Sequence, residues 1–329
     1  MAPDPQLTSA QEIFSQPVIT MPRADIMPGK QIEWIDDRRI VFIGFPKKKD
    51  NRKSSSVFRW DTPHQVDQIF DDARKLCFDG EDVFVLGKSD KKELRRFRIA
   101  GPSYSDAILL ENPSSPDGRT YTDDQQCLEK SIPNGLLGHN WVSLHERHGY
   151  LDFGLRQESK EAIQVALVNA DGKTRRDTNL VLTKSIMPNV FPAPLARGNY
   201  FIHDLNITPE ERQQWRETGF IDAWILQDNA HVVTIKVPSG PWASNAGTIL
   251  ILPLQKGLVI VAQGFERDGT PGSAGVYRVL PDGQSAQLVS GFVDQPRISP
   301  NGCRLAFAFQ QRFDTLHSLK QLFVMDLCD

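Results

Sequence analysis

Short runs of apolar β-formers alternate with polar turns along this chain, and one unit of that pattern recurs six times. A polar turn, in most copies containing Gly, leads into Ile40-Val41-Phe42-Ile43, Val83-Phe84-Val85-Leu86, Tyr150-Leu151-Asp152-Phe153, Tyr200-Phe201-Ile202, Leu258-Val259-Ile260-Val261 and Leu305-Ala306-Phe307. The first residues of these runs are spaced by 43, 67, 50, 58 and 47 positions. Strand-built repeats of about 40 to 50 residues are the mark of propeller blades.

Each copy is followed by a second β-rich run: residues 56–61, 94–99, 163–168, 231–237, 275–280 and 321–326. Several alternate apolar and polar side chains, which puts one face of a strand in a core and the other toward solvent. Ala170-Asp171-Gly172 and Pro281-Asp282-Gly283 supply residues that accept positive φ, as tight hairpins require. Two strands per unit are therefore legible, with two shorter ones expected.

The last unit carries a family resemblance. Ile298-Ser299-Pro300-Asn301-Gly302-Cys303-Arg304-Leu305-Ala306-Phe307, followed by Leu322-Phe323-Val324-Met325-Asp326-Leu327, resembles the repeat of TolB-type, WD-like β-propeller proteins. The other copies keep the turn-plus-strand pattern and lose the Ser-Pro; the first has Trp34-Ile35-Asp36-Asp37 in its place. The resemblance implies a propeller and carries over no catalytic residue.

Charge adds little direction: 38 basic and 41 acidic side chains leave a net charge of −3, so no global field points to nucleic acid or an anionic membrane. Cysteines add more. Cys303 opens one strand of the final hairpin and Cys328 closes the other, and facing residues of an antiparallel pair lie about 4.5 to 5.5 Å apart at Cα, within disulfide range. Two small buried thiols are the other reading of the pair. Cys77 and Cys127 are a second candidate pair. The even count points to an exported protein, periplasmic or secreted. Met1-Ala2-Pro3-Asp4-Pro5 has neither a basic nor an apolar leader region, which leaves a mature form or, alternatively, a cytoplasmic protein. No stretch reaches the roughly 20 apolar residues of a membrane span.

Residues 1–16 are expected to be a mobile segment and 17–329 a single propeller domain, with 18–20 completing the last blade. Three insertions interrupt the repeat. Residues 46–56 hold Lys47, Lys48, Lys49, Arg52 and Lys53, a basic loop whose plainest role is to keep a β-edge from pairing. Residues 103–135 form a long polar connection. The third insertion predicts a helix: Thr208 as N-cap, Pro209 at its first position, Glu210 and Glu211 in its first turn, and Gly219 at its end. Trp215 anchors it to the sheet, or the helix contacts a partner.

Catalytic signals are sparse. His139, His145 and His148 cluster in sequence, but on a strand His139 and His145 stand about 20 Å apart, too far for joint metal ligation. There is no G-x-S-x-G elbow, no P-loop and no dinucleotide fingerprint. Asp204, Asp222 and Asn140 are candidates for a calcium site of the lactonase kind, and Trp141, Trp224 and Trp242 for carbohydrate platforms.

The reading is an all-β, single six-bladed β-propeller, or seven-bladed if residues 103–135 add strands, with an inserted helix near 208–218. The expected function is a non-enzymatic binding protein of the envelope or extracellular space, monomeric or weakly oligomeric, that inhibits or escorts a protein partner. The expected contacts are Thr208, Glu211, Gln214, Trp215, Lys47, Lys48 and Lys49. No catalytic residue, metal or cofactor is expected. The alternatives are a metal-dependent, lactonase-like hydrolase and a carbohydrate-binding propeller.

Overall fold

The computed structural model describes residues 19–21, 32–46, 56–61, 65–70, 73–79, 82–88, 94–99, 107–110, 140–147, 150–157, 162–168, 174–184, 186–194, 199–264, 272–310 and 320–328. Two compact units divide them, one built from residues 1–129 with 291–329 and one from 130–290.

In the first unit, β1 (Ile19–Met21) precedes β2 (Ile32–Trp34), β3 (Arg39–Pro46), β4 (Ser56–Asp61) and β5 (Gln65–Phe70). A separate antiparallel sheet follows in simple order, β6 (Ala73–Asp79), β7 (Asp82–Lys88), β8 (Leu94–Ile99) and β9 (Ala107–Leu110). The second unit contains three sheets. They are β10 (Asn140–Arg147), β11 (Tyr150–Gln157), β12 (Ile163–Val168) and β13 (Arg175–Leu182); β14 (Pro188–Pro192), β15 (Tyr200–Asp204), β16 (Phe220–Leu226) and β17 (Val232–Pro238); and β18 (Ile249–Pro253), β19 (Leu258–Ala262), β20 (Gly275–Val279) and β21 (Ser285–Ser290). The chain then returns to the first unit with β22 (Phe292–Ile298), β23 (Arg304–Gln310) and β24 (Lys320–Asp326). β1 pairs antiparallel with both β24 and β3, joining the last three strands to the first group in one eight-stranded sheet.

The six repeat runs fall on β3, β7, β11, β15, β19 and β23, every fourth strand. The second runs are β4, β8, β12, β20 and β24, but the fourth copy departs: residues 231–237 are β17, and the partner of β15 is β16. The helical insertion between β15 and β16 displaces the expected strand and hides the register. The sheet of β10–β13 departs from the meander too, because β10 lies between β11 and β12 and runs parallel to β12.

The middle sheet of the second unit is apolar on both faces, and this decides the architecture. Tyr200 and Ile202 of β15 and Trp224 and Leu226 of β16 pack with Ile163, Val165, Leu167 and Leu182 of the preceding sheet. The alternate residues Phe201, Ala223 and Val237 pack with Ile249, Ile251, Ile260, Ala262, Tyr277 and Val279 of the following one. Each fully buried side chain of this kind contributes roughly 1.5–3 kcal/mol relative to exposure. A strand buried on both faces reads as an apolar run, as Tyr200-Phe201-Ile202 of β15 does before the buried His203 and Asp204. Within the second unit the three sheets thus stack face to face in sequence order, an all-β, propeller-like arrangement.

In the first unit the last repeat docks on the first through their turns. Asn301 donates its backbone N–H to Asp37 Oδ1 at 2.8 Å, Trp34 Nε1–H donates to Arg297 O at 2.9 Å, and Arg297 pairs with Glu33. The Ser299–Gly302 turn is held internally: Ser299 Oγ accepts the Arg304 N–H, and Asn301 Oδ1 accepts the Cys303 N–H. Cys303 and Cys328 form the expected disulfide, with Cα atoms 4.9 Å apart. Cys77 contributes backbone to β6, and Cys127 lies outside the described residues, as do residues 1–16 and the basic-loop residues Lys47, Lys48 and Lys49. Among the described residues, no helix is long and apolar enough to cross a membrane.

Candidate functional site: the helical rim of the middle sheet

Helix α1 (Pro209–Thr218) forms where the sequence places it. Thr208 is extended, its Oγ1 accepts the Glu211 N–H at 3.3 Å, and Glu211 Oε2 accepts the Thr208 N–H at 2.9 Å, a reciprocal capping box. At the other end Gly219 takes φ 83°, a left-handed conformation that closes the helix at low cost for glycine, and donates its N–H to Trp215 O. The helix occupies the β15–β16 connection. The β13–β14 and β17–β18 connections reach the same end of the sheet, since β14 begins opposite the end of β15 and β16 begins opposite the end of β17.

A charged hub fixes the N-terminal side. Lys184 Nζ lies 2.6 Å from Asp204 Oδ2 and 2.5 Å from Glu211 Oε1. Asp204, only 6% exposed, uses its other oxygen to accept the N–H groups of Met187 and Asn206, both at 2.9 Å. Burial alone pushes the Lys184 ammonium toward deprotonation, but its hydrogen bonds and charge contacts with Asp204 and Glu211 outweigh that and raise its pKa above the usual lysine value.

On the other side, two arginines one turn apart hold a short 3-10 turn (Pro241–Ser244) and the residues after it. Arg212 donates from Nε to Ile207 O at 3.1 Å, from Nη2 to Gly247 O at 2.7 Å, and from Nη1 to Asn245 O. Arg216 donates to Ala243 O at 3.0 Å. Burial, then the neighbouring Arg216 charge, lower the pKa of Arg212.

Beneath the helix, Trp215 is 1% exposed and donates its indole N–H to Val237 O at 3.1 Å. It packs with Trp242, which meets Tyr277 edge-on at 5.2 Å. His203 lies nearby, fully enclosed. Its Nε2 accepts the Ile251 N–H at 3.2 Å from the next sheet, and its Nδ1 faces Asp204 O at 3.2 Å, so Nδ1 carries the proton. Burial pushes its pKa down to about 4.

The expected contact residues thus divide. Thr208 and Glu211 belong to the cap and hub, Trp215 to the core, and Gln214 stands exposed on the outward face. Trp224, 9% exposed, and Trp242, 0% exposed, are core residues, so neither is a carbohydrate platform; Trp141 and Asn140 open β10. Asp204 and Asp222 do not face an open cation site: one is in the hub and the other pairs with Lys236. No group of three His, Cys, Asp or Glu residues able to hold a metal occurs among the described residues. His145 lies in β10, while His139 and His148 fall outside them. The sequence reading missed Lys184 and His203, whose partners lie on other elements. It also missed the arginine pair, for which the i, i+4 spacing behind a capping box was an available signal.

No family profile and no curated protein sequence matches the chain. Solved structures do. AtxE2 isopeptidase in its apo form is similar over 94% of this chain and 49% of its own, at 11% identity and a TM-score of 0.40. The acylaminoacyl peptidase of Pyrococcus horikoshii is similar over 87% of this chain and 43% of its own, at 9% identity and a TM-score of 0.32. For the tricorn protease the figures are 90% and 30%, at 13% identity and a TM-score of 0.22. The chain spans half or less of the length of each. The expectation of a non-enzymatic binding protein is corrected on this finding, since each of these structures is a peptidase or isopeptidase.

Proposed function

We propose that this chain is the six-bladed β-propeller of an amide-hydrolysing enzyme, with the rim that carries α1 handling peptide substrate. The six blades are β2–β5, β6–β9, β10–β13, β14–β17, β18–β21 and β22–β24 completed by β1. The class of reaction is borrowed from the names of the similar structures; this chain's own support for the reading is the rim. One observation carries it: α1 is locked at both ends by cap, hub and arginine bonds, and its outward residues Gln213, Gln214, Arg216 and Glu217 offer donors, acceptors and both charges. That surface suits a peptide main chain and its termini, and the rigid scaffold lowers the entropy lost on binding. The Cys303–Cys328 disulfide supports an oxidising compartment for the enzyme.

The test is incubation of the purified chain, at stoichiometric concentration, with a defined library of linear and isopeptide-bonded peptides, read by mass spectrometry and by fluorescence polarisation. Cleavage of a peptide class supports the reading and locates the reacting groups within this chain. Saturable binding without cleavage supports it and locates them outside. A library neither bound nor cut overturns it.

A further inference from the structure

We infer that Arg212 and Arg216 together form a carboxylate-binding site on the rim, an inference that rests on the peptide-handling reading above. The two side chains are at i and i+4 of α1 and so share one side of the helix. Every hydrogen bond they make goes to a backbone carbonyl: Ile207, Asn245 and Gly247 for Arg212, Ala243 for Arg216. Carbonyls satisfy donors without neutralising charge. Of the nearby carboxylates, Glu211 and Asp204 pair with Lys184, and Glu217 accepts the Gln213 amide rather than either arginine. Among the described residues, neither arginine has an ion-pair partner.

Two guanidinium charges therefore stand side by side without compensation. Their mutual repulsion registers in the lowered pKa of Arg212, where the Arg216 charge adds to burial. Of the five N–H donors on each guanidinium, Arg212 uses three and Arg216 one. On Arg216, bonded only through Nη1, the Nε and Nη2 donors form a planar fork that matches a carboxylate, and Arg212 keeps one N–H on each Nη. The three bonds that anchor Arg212 fix its charge beside that fork before any ligand arrives, so little of its rotamer entropy is lost on binding. An arriving carboxylate relieves the repulsion as well as accepting the hydrogen bonds. The ligand class is a carboxylate on a peptide, either the C-terminal group or an Asp or Glu side chain.

Two measurements on the full chain test this. The first follows the Arg216 Nε–Hε resonance during titration with N-acetylglycine and, in parallel, N-acetylglycinamide. The expected result is a saturable shift with the acid, none with the amide, and loss of the acid response in Arg216→Gln. The second compares one peptide in three forms by fluorescence polarisation: free C-terminus, amidated C-terminus, and amidated with one Glu side chain. At least one carboxylate form should bind about ten-fold tighter than the neutral form, as a charge-assisted pair supplies. Arg216→Gln should erase that difference, with loss of the Ala243 bond read separately as a lower thermal midpoint. Preference for the free C-terminus identifies the α-carboxylate, and preference for the Glu form identifies an acidic side chain. Peptides bound or cut with no carboxylate preference, together with no N-acetylglycine shift, overturn this inference and leave the hydrolase reading standing. An N-acetylglycine shift with no peptide bound or cut removes the hydrolase reading and leaves the carboxylate site.

Discussion

Replacing Asp204 separates the charge of the hub from its hydrogen bonds. Asp204→Ala removes the acceptor of two backbone N–H groups, Met187 and Asn206, and one of the two anions facing Lys184. Each buried donor left unsatisfied costs about 1–3 kcal/mol, so the change should destabilise the rim by roughly 3–5 kcal/mol. Asp204→Asn keeps an oxygen for the two N–H groups but replaces the anionic acceptor of Lys184 by an amide NH2, leaving Lys184 with Glu211. It should cost about 1–2 kcal/mol. Native-state hydrogen exchange reads this locally, since the Met187 and Asn206 amides are themselves the donors and each 1.4 kcal/mol lowers protection about ten-fold. A double-mutant cycle with Lys184→Met isolates the ion pair from the amide bonds. If Asp204→Asn exposes both amides as far as Asp204→Ala does, the oxygen geometry is irrelevant and the hub is not what orders this rim.

Three further outcomes follow from other residues. His203 is neutral in the folded chain down to about pH 4, whereas an unfolded histidine takes up a proton near 6.5. The unfolded state therefore binds the extra proton between those values, and stability is full above 6.5 and falls as pH drops toward 4. Between pH 6.5 and 5 the loss from this residue is about 2 kcal/mol, and a urea series on the native chain and His203→Gln should show the variant losing less by that amount; equal losses would refute it. Reducing the Cys303–Cys328 bond, whose partners are 25 residues apart, should cost about 3.5 kcal/mol by loop entropy, read as a lower thermal midpoint that Cys303→Ser with Cys328→Ser reproduces without reductant. Gly219→Ala should cost about 1 kcal/mol, since φ is +83° but no atom lies within 4 Å of the new Cβ. Gly257→Ala should cost several times more, because its Cβ would meet Val279 O at 2.1 Å, and equal melting shifts for the two would contradict this.

Legibility in the sequence tracked the distance between interacting residues. The helix at 209–218 was visible because its signals are local: N-cap, capping-box glutamate, first-turn proline and C-terminal glycine all act within a dozen positions. The repeat was visible because the second strand of each group opens on a run of apolar β-formers behind a polar turn. The strand after α1 was missed although it begins nearer its counterparts' spacing than 231–237 does, because the helix between β15 and β16 hides their pairing and 231–237 also reads as a strand by composition. The hub stayed hidden for a different reason. Lys184, Asp204 and Glu211 lie 20 and 7 residues apart on a loop, a strand end and a helix, and nothing in their neighbours marks them as partners. His203 reads as a polar break in an apolar run, and only the Ile251 amide of the next sheet explains it.

That difference bears on where function can reside on such a fold. A sheet buried on both faces leaves its side chains no freedom to act on a ligand, since Phe201, Ile202, Ala223 and Trp224 are all consumed by packing between sheets. Variation is affordable only at strand ends, and the β15–β16 connection is where this chain has placed a whole helix. The helix then had to be ordered without a core of its own, and its one fully buried residue is Trp215. Polar bonds to both neighbouring connections complete the job: Lys184 from one side, the carbonyls of 243–247 from the other. The first is two anions around one cation, and every carboxylate oxygen in it is already taken by Lys184 or by a backbone N–H. The second holds two cations by uncharged groups and keeps their charge available, which makes the arginine side of α1, rather than its capped end, the part of the rim free to meet a ligand.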